Sequence, residues 1–233
     1  MSSDGGAADE RAPGGRPAGA PAERPLRRDA EENRLRIIRA AREVFAAQGL
    51  GVGFNDIARH AGVGVGTVYR RFPDRATLVR EALQGEVAQI LAVADEALAA
   101  EPAWDGLMLL IGHVADLLAA NLGLRDVALG PGQLSEDFDD VAERVARHVE
   151  ELLERAKDEG AVRPDATPQD LTMMFLMITE LAMHATASNP RAYRRYLAIF
   201  TDGLRVTGSD APLPDRLGEA DAEDVARRWT SRG

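Results

Sequence analysis

The chain has no cysteine among its 233 residues. It therefore has no disulfide, thiolate ligand or cysteine nucleophile, and a cytoplasmic location is expected. It also lacks an uninterrupted apolar run of the roughly 18 residues that a membrane span needs. The nearest stretch, Met173 to Ala187, is broken by Glu180 and His184, so no membrane contact is expected. The opening segment, MSSDGGAADERAPGGRPAGAPAERP, has no apolar core of the kind a signal peptide carries. There is no P-loop, no dinucleotide fingerprint and no nucleophile motif, and none of the four histidines (His60, His113, His148 and His184) stands at metal-ligand spacing from another. Neither metal nor cofactor is expected, and an enzyme is the least supported class.

A hydrophobic content of 45% is enough for one large or two modest domains with a real core. The net charge of −10 is unevenly spread. Residues 1–80 hold 14 Arg and 10 acidic side chains, a net of +4, whereas residues 81–233 hold 14 basic and 28 acidic ones, a net of −14. A basic head on an acidic body orients the head towards phosphates and keeps the body away. On charge alone an ordinary acidic protein with arginine-rich helices fits equally well.

The segment FNDIARHAGVGVGTVYRRF, residues 54–72, breaks that tie. Ile57, Ala58 and Ala61 line one side of a short helical pattern. Gly62 then supplies a position where the chain can take φ > 0 and turn. From Val65 to Phe72 a second pattern follows, with Val68 and Phe72 at i, i+4 pointing back to the same core. Thr67, Tyr69, Arg70 and Arg71 fall towards water. A helix with an apolar back and a hydroxyl, phenol and guanidinium front suits the major groove, where phosphates flank readable base edges. The pair reads as a helix-turn-helix with Val65–Phe72 as its recognition helix.

Four blocks in order, AREVFAAQGL, DIARHAGV, GTVYRRF and PDRATL, lie within Leu35 to Leu83. This run resembles the DNA-binding domain of the TetR family of bacterial transcriptional regulators. The resemblance covers about a fifth of the chain and implies an all-α fold. An N-terminal three-helix helix-turn-helix domain would be joined by a long helix to a C-terminal helical ligand-binding and dimerisation domain. It further implies a homodimer that binds double-stranded DNA at a palindromic operator and represses until a small-molecule effector releases it. By the same resemblance Thr67 touches phosphate or a thymine methyl, Tyr69 donates to phosphate, and Arg71 takes a guanine or a phosphate. Arg75 faces phosphate at the start of the fourth helix. Arg70 points outward on the wheel and is added to this set. Gly66 matches the family's glycine. Gly53 and Gly64 depart from it, standing where the family often has Thr or Ser, and so lose a capping hydroxyl.

Taken in order, residues 1–27 read as a disordered arm rich in Gly, Ala, Pro and Arg. Its Arg24 and Arg27, with Arg28 just beyond, either reach phosphate or are simply solvated. Residues 28–80 form the DNA-binding domain, starting with a helix from about Ala30 to Gln48 whose apolar stripe is Leu35, Ile38, Ala41 and Phe45 beside Ile37 and Val44. From Pro73 an apolar pattern through Leu78, Ala82, Ile90, Ala94 and Leu98 runs to about Ala100. At about 38 Å such a helix is long enough to enter a second layer.

The regulatory and dimerisation domain is placed at residues 81–206. Its helices are expected at Trp104–Leu122, Phe138–Glu159, from Thr167-Pro168 to about Ser188, and from Asn189-Pro190 to about Val206. Residues 123–137 read as a loop with at most one turn. Trp104, His113, Asp116, Met173, Met177 and His184 are candidates for lining an apolar or aromatic ligand. For His113 and Asp116, mutual satisfaction or a backbone carbonyl is the simpler role. A closed cavity between residues 104–118 and 173–184 would favour a ligand, and a solid core would favour a protein partner or no signal. Phe175, Ile178, Ala182, Tyr193, Tyr196, Leu197 and Phe200 form the expected dimer surface, packing against their symmetry mates as a four-helix bundle. Residues 207–233 read as a polar tail, with one turn near Val225–Trp229.

Overall fold

Residues 23–129, 136–185, 188–208 and 211–230 are described by the structure, a computed structural model. Among them the regular elements are helices, and one isolated antiparallel bridge joins Val162 to Arg205. The helices are α1 (Glu23–Gln48), α2 (Phe54–Ala61), α3 (Val65–Arg71), α4 (Arg75–Ala99), α5 (Ala103–Ala120), α6 (Leu122–Leu129), α7 (Glu136–Asp158), α8 (Pro168–Met183), α9 (Tyr193–Asp202) and α10 (Glu219–Thr230).

Helix α1 begins at Glu23, seven positions before Ala30, so the expected boundary at residue 27 falls inside a helix; residues 1–22 of the expected arm lie outside the described residues. Its buried stripe also differs from the expected one. Ile37, Ala40, Ala41, Val44 and Phe45 face inward, Ile38 is half-buried, and Leu35 is exposed. The i, i+4, i+7 set of Ile37, Ala41 and Val44 fits a 3.6-residue period, and Leu35 lies off that face. Gly49 ends the helix at φ 74°, its N–H donating to Phe45 O at 2.9 Å.

The α1 stripe forms one core with Ile57, Ala58, Ala61, Val68, Phe72, Leu78, Val79, Ala82 and Leu83. Helix α4 leaves this core and enters a second. Its Ala94 and Ala97 are buried with Leu107, Leu110 and Ile111 of α5, Leu152 and Leu153 of α7, and Met174 and Ile178 of α8. Twenty-five residues in α4 give about 38 Å at the usual helical rise, so one rigid element spans both cores as expected. At the crossing of α4 and α5, a Cβ on Gly106 would lie 2.2 Å from the Ala97 carbonyl oxygen. Only glycine allows that approach. Helix α5 is long and apolar enough to cross a membrane, with mean hydropathy 1.4. Its apolar side chains are instead the centre of the second core, which explains their number.

The N-terminus of α8 is capped by Thr167 and Asp170. Thr167 Oγ1 accepts the Asp170 N–H at 3.3 Å and Asp170 Oδ2 accepts the Thr167 N–H at 2.7 Å, with Pro168 in the first turn. Two elements differ from expectation. Residues 122–129 form helix α6, started by Asn121 Oδ1 accepting the Leu124 N–H at 3.0 Å. The segment 211–230 contains the twelve-residue helix α10, packed against α8 and α6. Ala222, Val225, Ala226 and Trp229 recur at helical spacing there, with acids in the first turn and arginines in the last.

Candidate nucleic-acid interface

The helix-turn-helix is built by backbone geometry at three glycines. Gly53 is the N-cap of α2 and its N–H is closed by Asp56 Oδ2 at 3.3 Å; glycine has no side chain to complete the exchange. Gly62 takes the left-handed conformation, φ 65° and ψ 34°, and turns the chain. Gly64 then caps α3 in an extended conformation any residue can adopt, φ −68° and ψ 140°. Within α3 only Val68 is buried, and Phe72 follows it into the core. A Cβ at Gly64 or Gly66 would meet nothing within 4 Å among the described residues. Neither glycine is required by the chain's own packing, and both leave bare backbone on the outer face.

That face carries the expected side chains. Tyr69 is 60% exposed, its ring edge-on to Phe54 at 4.9 Å between centroids. Arg70 is exposed, and its Nη2 donates to Thr67 Oγ1 at 3.3 Å. Arg71 is exposed and forms no hydrogen bond or ion pair among the described residues. Thr67, Tyr69, Arg70, Arg71 and the open Gly66 therefore share one short helix.

Arg75 does not join them as expected. Its Nη1 donates to Val52 O at 2.6 Å, its guanidinium sits 5.7 Å over the Phe45 ring, and Nη2 is buried. Burial pushes its pKa below the ordinary arginine value. The side chain is a strut between α4 and the loop before α2. At the same terminus Asp74 caps α4, accepting the Thr77 N–H at 2.7 Å, and that hydrogen bond holds its carboxyl below the usual range.

The expected effector residues are dispersed. Trp104 packs on the second core under Arg205, 4.5 Å from its ring centroid. His113 is half-buried with Nε2 unpartnered among the described residues. Met173 is half-buried, Met177 is exposed, and His184 is an exposed C-cap whose Nδ1 lies 3.0 Å from Glu180 O. Only Asp116 lines a cleft, of about 340 Å³, together with Met108, Ile111, Gly112, Arg194, Leu197, Ala198 and Thr201. The cleft is open and lies between α5 and α9, so it differs from the closed cavity between residues 104–118 and 173–184 that would favour a ligand. Asp116 accepts from Tyr193 Oη at 2.6 Å and from Arg194 Nε at 3.0 Å. Burial opposes its charge, but these donors outweigh it and hold the carboxyl low; burial and the same bond push Tyr193 up. Arg194 carried no signal in the sequence, because the partners are 78 positions apart.

Of the expected dimer residues, Ile178 (1% exposed) and Tyr193 (5%) belong to this chain's own core and offer no surface. Phe175, Ala182 and Leu197 are half-buried, while Tyr196 and Phe200 are exposed. Ile199, beside Phe200 on the same helix, is 55% exposed.

A helix-turn-helix held against its own core, continued by one long helix into a second helical core, defines a DNA-binding transcriptional regulator. Residues 37–82 match the family model described as bacterial regulatory proteins, tetR family, and residues 103–206 match that of the SbtR-like transcriptional regulator C-terminal domain. A TetR transcriptional regulator from Streptomyces coelicolor has a similar structure, at 30% identity and TM-score 0.50 over 75% of this chain and 99% of that one. The chain belongs to the TetR family and is not an enzyme. A ketosteroid transcriptional regulator of Mycobacterium tuberculosis shares the fold at 19% identity and TM-score 0.53, over 82% of this chain and all of that one. An HTH-type transcriptional regulator of Staphylococcus aureus is 38% identical over 63 residues. That match spans 27% of this chain and 34% of its relative, about a third of the relative's length.

Proposed function

We propose that this regulator is a homodimeric repressor in the bacterial cytoplasm, reading a palindromic DNA site with Thr67, Tyr69, Arg70, Arg71 and the bare backbone at Gly66. The observation that carries the reading is the outer face of α3. It gathers a hydroxyl, a phenol and two guanidinium groups beside glycines that the fold itself does not need. In this reading residues 28–80 read DNA, with α1 extending their boundary back to Glu23, and residues 81–206 regulate. The exposed apolar side chains of α8 and α9, Met177, Tyr196, Ile199 and Phe200, support self-association through these helices. A dimer would set two α3 helices about 34–36 Å apart, one duplex turn. Release by a small apolar or aromatic molecule, at the cleft between α5 and α9, completes the reading.

A second reading has a protein partner, or no signal, in place of the small molecule. It is favoured by the filled core between α5 and α8, where Leu107, Leu110, Ile111, Met174 and Ile178 are buried together, and by the pairing of Asp116 with Arg194.

The test is a mobility shift on the protein's own promoter region at one stated salt concentration, with sedimentation of the complex, comparing wild type, Tyr69→Ala and Arg71→Ala. A dimer on the fragment, with each variant weakened by more than about 1 kcal/mol, is expected. Equal binding by all three proteins would mean that another face enters the groove.

A further inference from the structure

We propose that Phe54 is a positioning residue for DNA recognition, holding the Tyr69 ring at the outer surface of α3 without itself reading DNA. The inference rests on the reading that Tyr69 faces DNA.

The tethering of α3 is sparse. The helix has seven residues, one of them buried, and its first turn contains Gly66 just after the Gly64 cap. Val68 and Phe72 fix its inner side, and neither acts on the outer side. A tyrosine that is 60% exposed has no core to choose its rotamer, and ordering it only on binding would weaken the complex. Its hydroxyl forms no hydrogen bond among the described residues, so no polar contact among them sets its direction.

Phe54 fills this gap. It is the first residue of α2, immediately after the extended Gly53 cap, and is half-buried against the first core. Its other side meets Tyr69 edge to face, with centroids 4.9 Å apart and planes at 65°. That is a favourable aromatic geometry, because the positive edge of one ring meets the negative face of the other. The contact joins α2 to α3 through the residue next to Val68, so the recognition helix has a second attachment besides its buried side chain. It also leaves the Tyr69 hydroxyl free.

The experiment uses the full chain and a duplex recovered by selection from random DNA on the wild-type protein. Affinity is measured for wild type, Phe54→Leu, Phe54→Tyr, Tyr69→Ala and the Phe54→Leu/Tyr69→Ala double variant, with a thermal melt of each. Leucine keeps the apolar anchor and removes the ring. Phe54→Leu is expected to weaken binding by about three- to tenfold, the size of one aromatic pair. Phe54→Tyr keeps the ring and is expected to bind as wild type does. In the Tyr69→Ala background Phe54→Leu is expected to have no further effect, since the partner it positions is gone.

An equal loss from Phe54→Leu in both backgrounds would overturn the proposal, because Phe54 would then act on general folding. Unchanged binding by Phe54→Leu, with Tyr69→Ala weakened, would overturn it while leaving the Tyr69 reading intact. Unchanged binding by Tyr69→Ala would instead sink that reading, and the proposal with it. If Phe54→Leu lowers the melting temperature strongly, Phe54→Met run through the same cycle gives the coupling in a second side chain.

Discussion

Asp126 Oδ2 accepts the Leu50 backbone N–H at 2.8 Å, joining residues 76 positions apart. The bond fastens α6 to the turn between α1 and α2. Gly49 makes room for it in this geometry, since an added Cβ would lie 2.5 Å from the same oxygen. Arg125 Nη2 donates to the other Asp126 oxygen at 3.0 Å, and Arg125 also reaches the Met183 sulfur at the end of α8. A parallel link runs through Glu86, which accepts from Arg42 Nη2 of α1 at 3.1 Å and, more weakly, from Asn121 at 3.5 Å. Two polar contacts thus tie α6 and its start to the DNA-reading helices.

Removing the Asp126 carboxylate should expose that tie. Asp126→Ala is expected to destabilise the chain by about 1–2 kcal/mol, the range for a part-buried amide that loses a charged acceptor. Amide hydrogen exchange is the discriminating measurement. Leu50 should exchange faster in the variant while Ile57 and Val68, held by helical bonds, keep their protection. Unchanged protection at Leu50 would mean that α6 does not hold the turn.

Gly66→Ala should move stability and DNA affinity in opposite directions. Nothing among the described residues lies within 4 Å of the added methyl, so the helix is expected to gain about 0.5–1 kcal/mol in a thermal melt. The same methyl stands on the outer face of α3, and operator affinity in a mobility shift should fall. A parallel rise in both would show that the backbone at Gly66 does not approach DNA. Gly62→Ala is the contrast, since its φ of 65° makes a side chain strained there; it should lose about 1 kcal/mol.

Arg75→Gln separates a strut from a phosphate contact. The part-buried bond to Val52 O and the stacking on Phe45 predict a lower melting temperature, by about 1–3 kcal/mol in stability. If the bond to Val52 O and the place over Phe45 are the whole role of the guanidinium, the slope of log affinity against log salt should not change. A phosphate contact would instead lower that slope by about one.

The DNA-reading half was legible in sequence because each of its decisions is local. Gly62 turns the chain by its own conformation, Val68 and Phe72 are four positions apart, and the motif blocks are contiguous. The long helix α4 was legible for the same reason, as one unbroken period. What failed was set by tertiary partners. Ile178 of α8 and Tyr193 of α9 read as surface residues until they are seen packed in the second core, and the bond from Arg75 to Val52 O and its place over Phe45 have no local signal. Helix α6 is not legible as a helix because its start depends on one Asn121 side-chain bond and its seat on Gly123, where a Cβ would be 2.8 Å from that of Phe45. Helix α10 did have a readable period in Ala222, Val225, Ala226 and Trp229, but its acidic composition obscured it.

The attachment of the C-terminal segment should be sensitive to acid. Asp165 accepts from Arg163 Nε at 2.5 Å and Nη2 at 3.0 Å, and from the Leu213 N–H at 2.8 Å, while Arg163 also donates to Ala211 O at 2.7 Å. This clip fastens residues 211–213, ahead of α10, to the turn between α7 and α8. The Arg163 guanidinium and then the Leu213 amide hold the Asp165 carboxyl well below the usual carboxylate range. A pKa lower in the folded chain than in the unfolded one means that the unfolded chain binds more protons across that interval. The clip's stabilisation is therefore complete above the ordinary carboxylate pKa of about 4 and is lost as pH falls below it. Asp165→Asn removes the charge at every pH. In thermal melts from about pH 6 down to about pH 2, the variant should be clearly less stable at the upper end, and the difference should close as the pH falls. A difference that stays constant across the series would show that the ionised carboxylate is not what holds the segment.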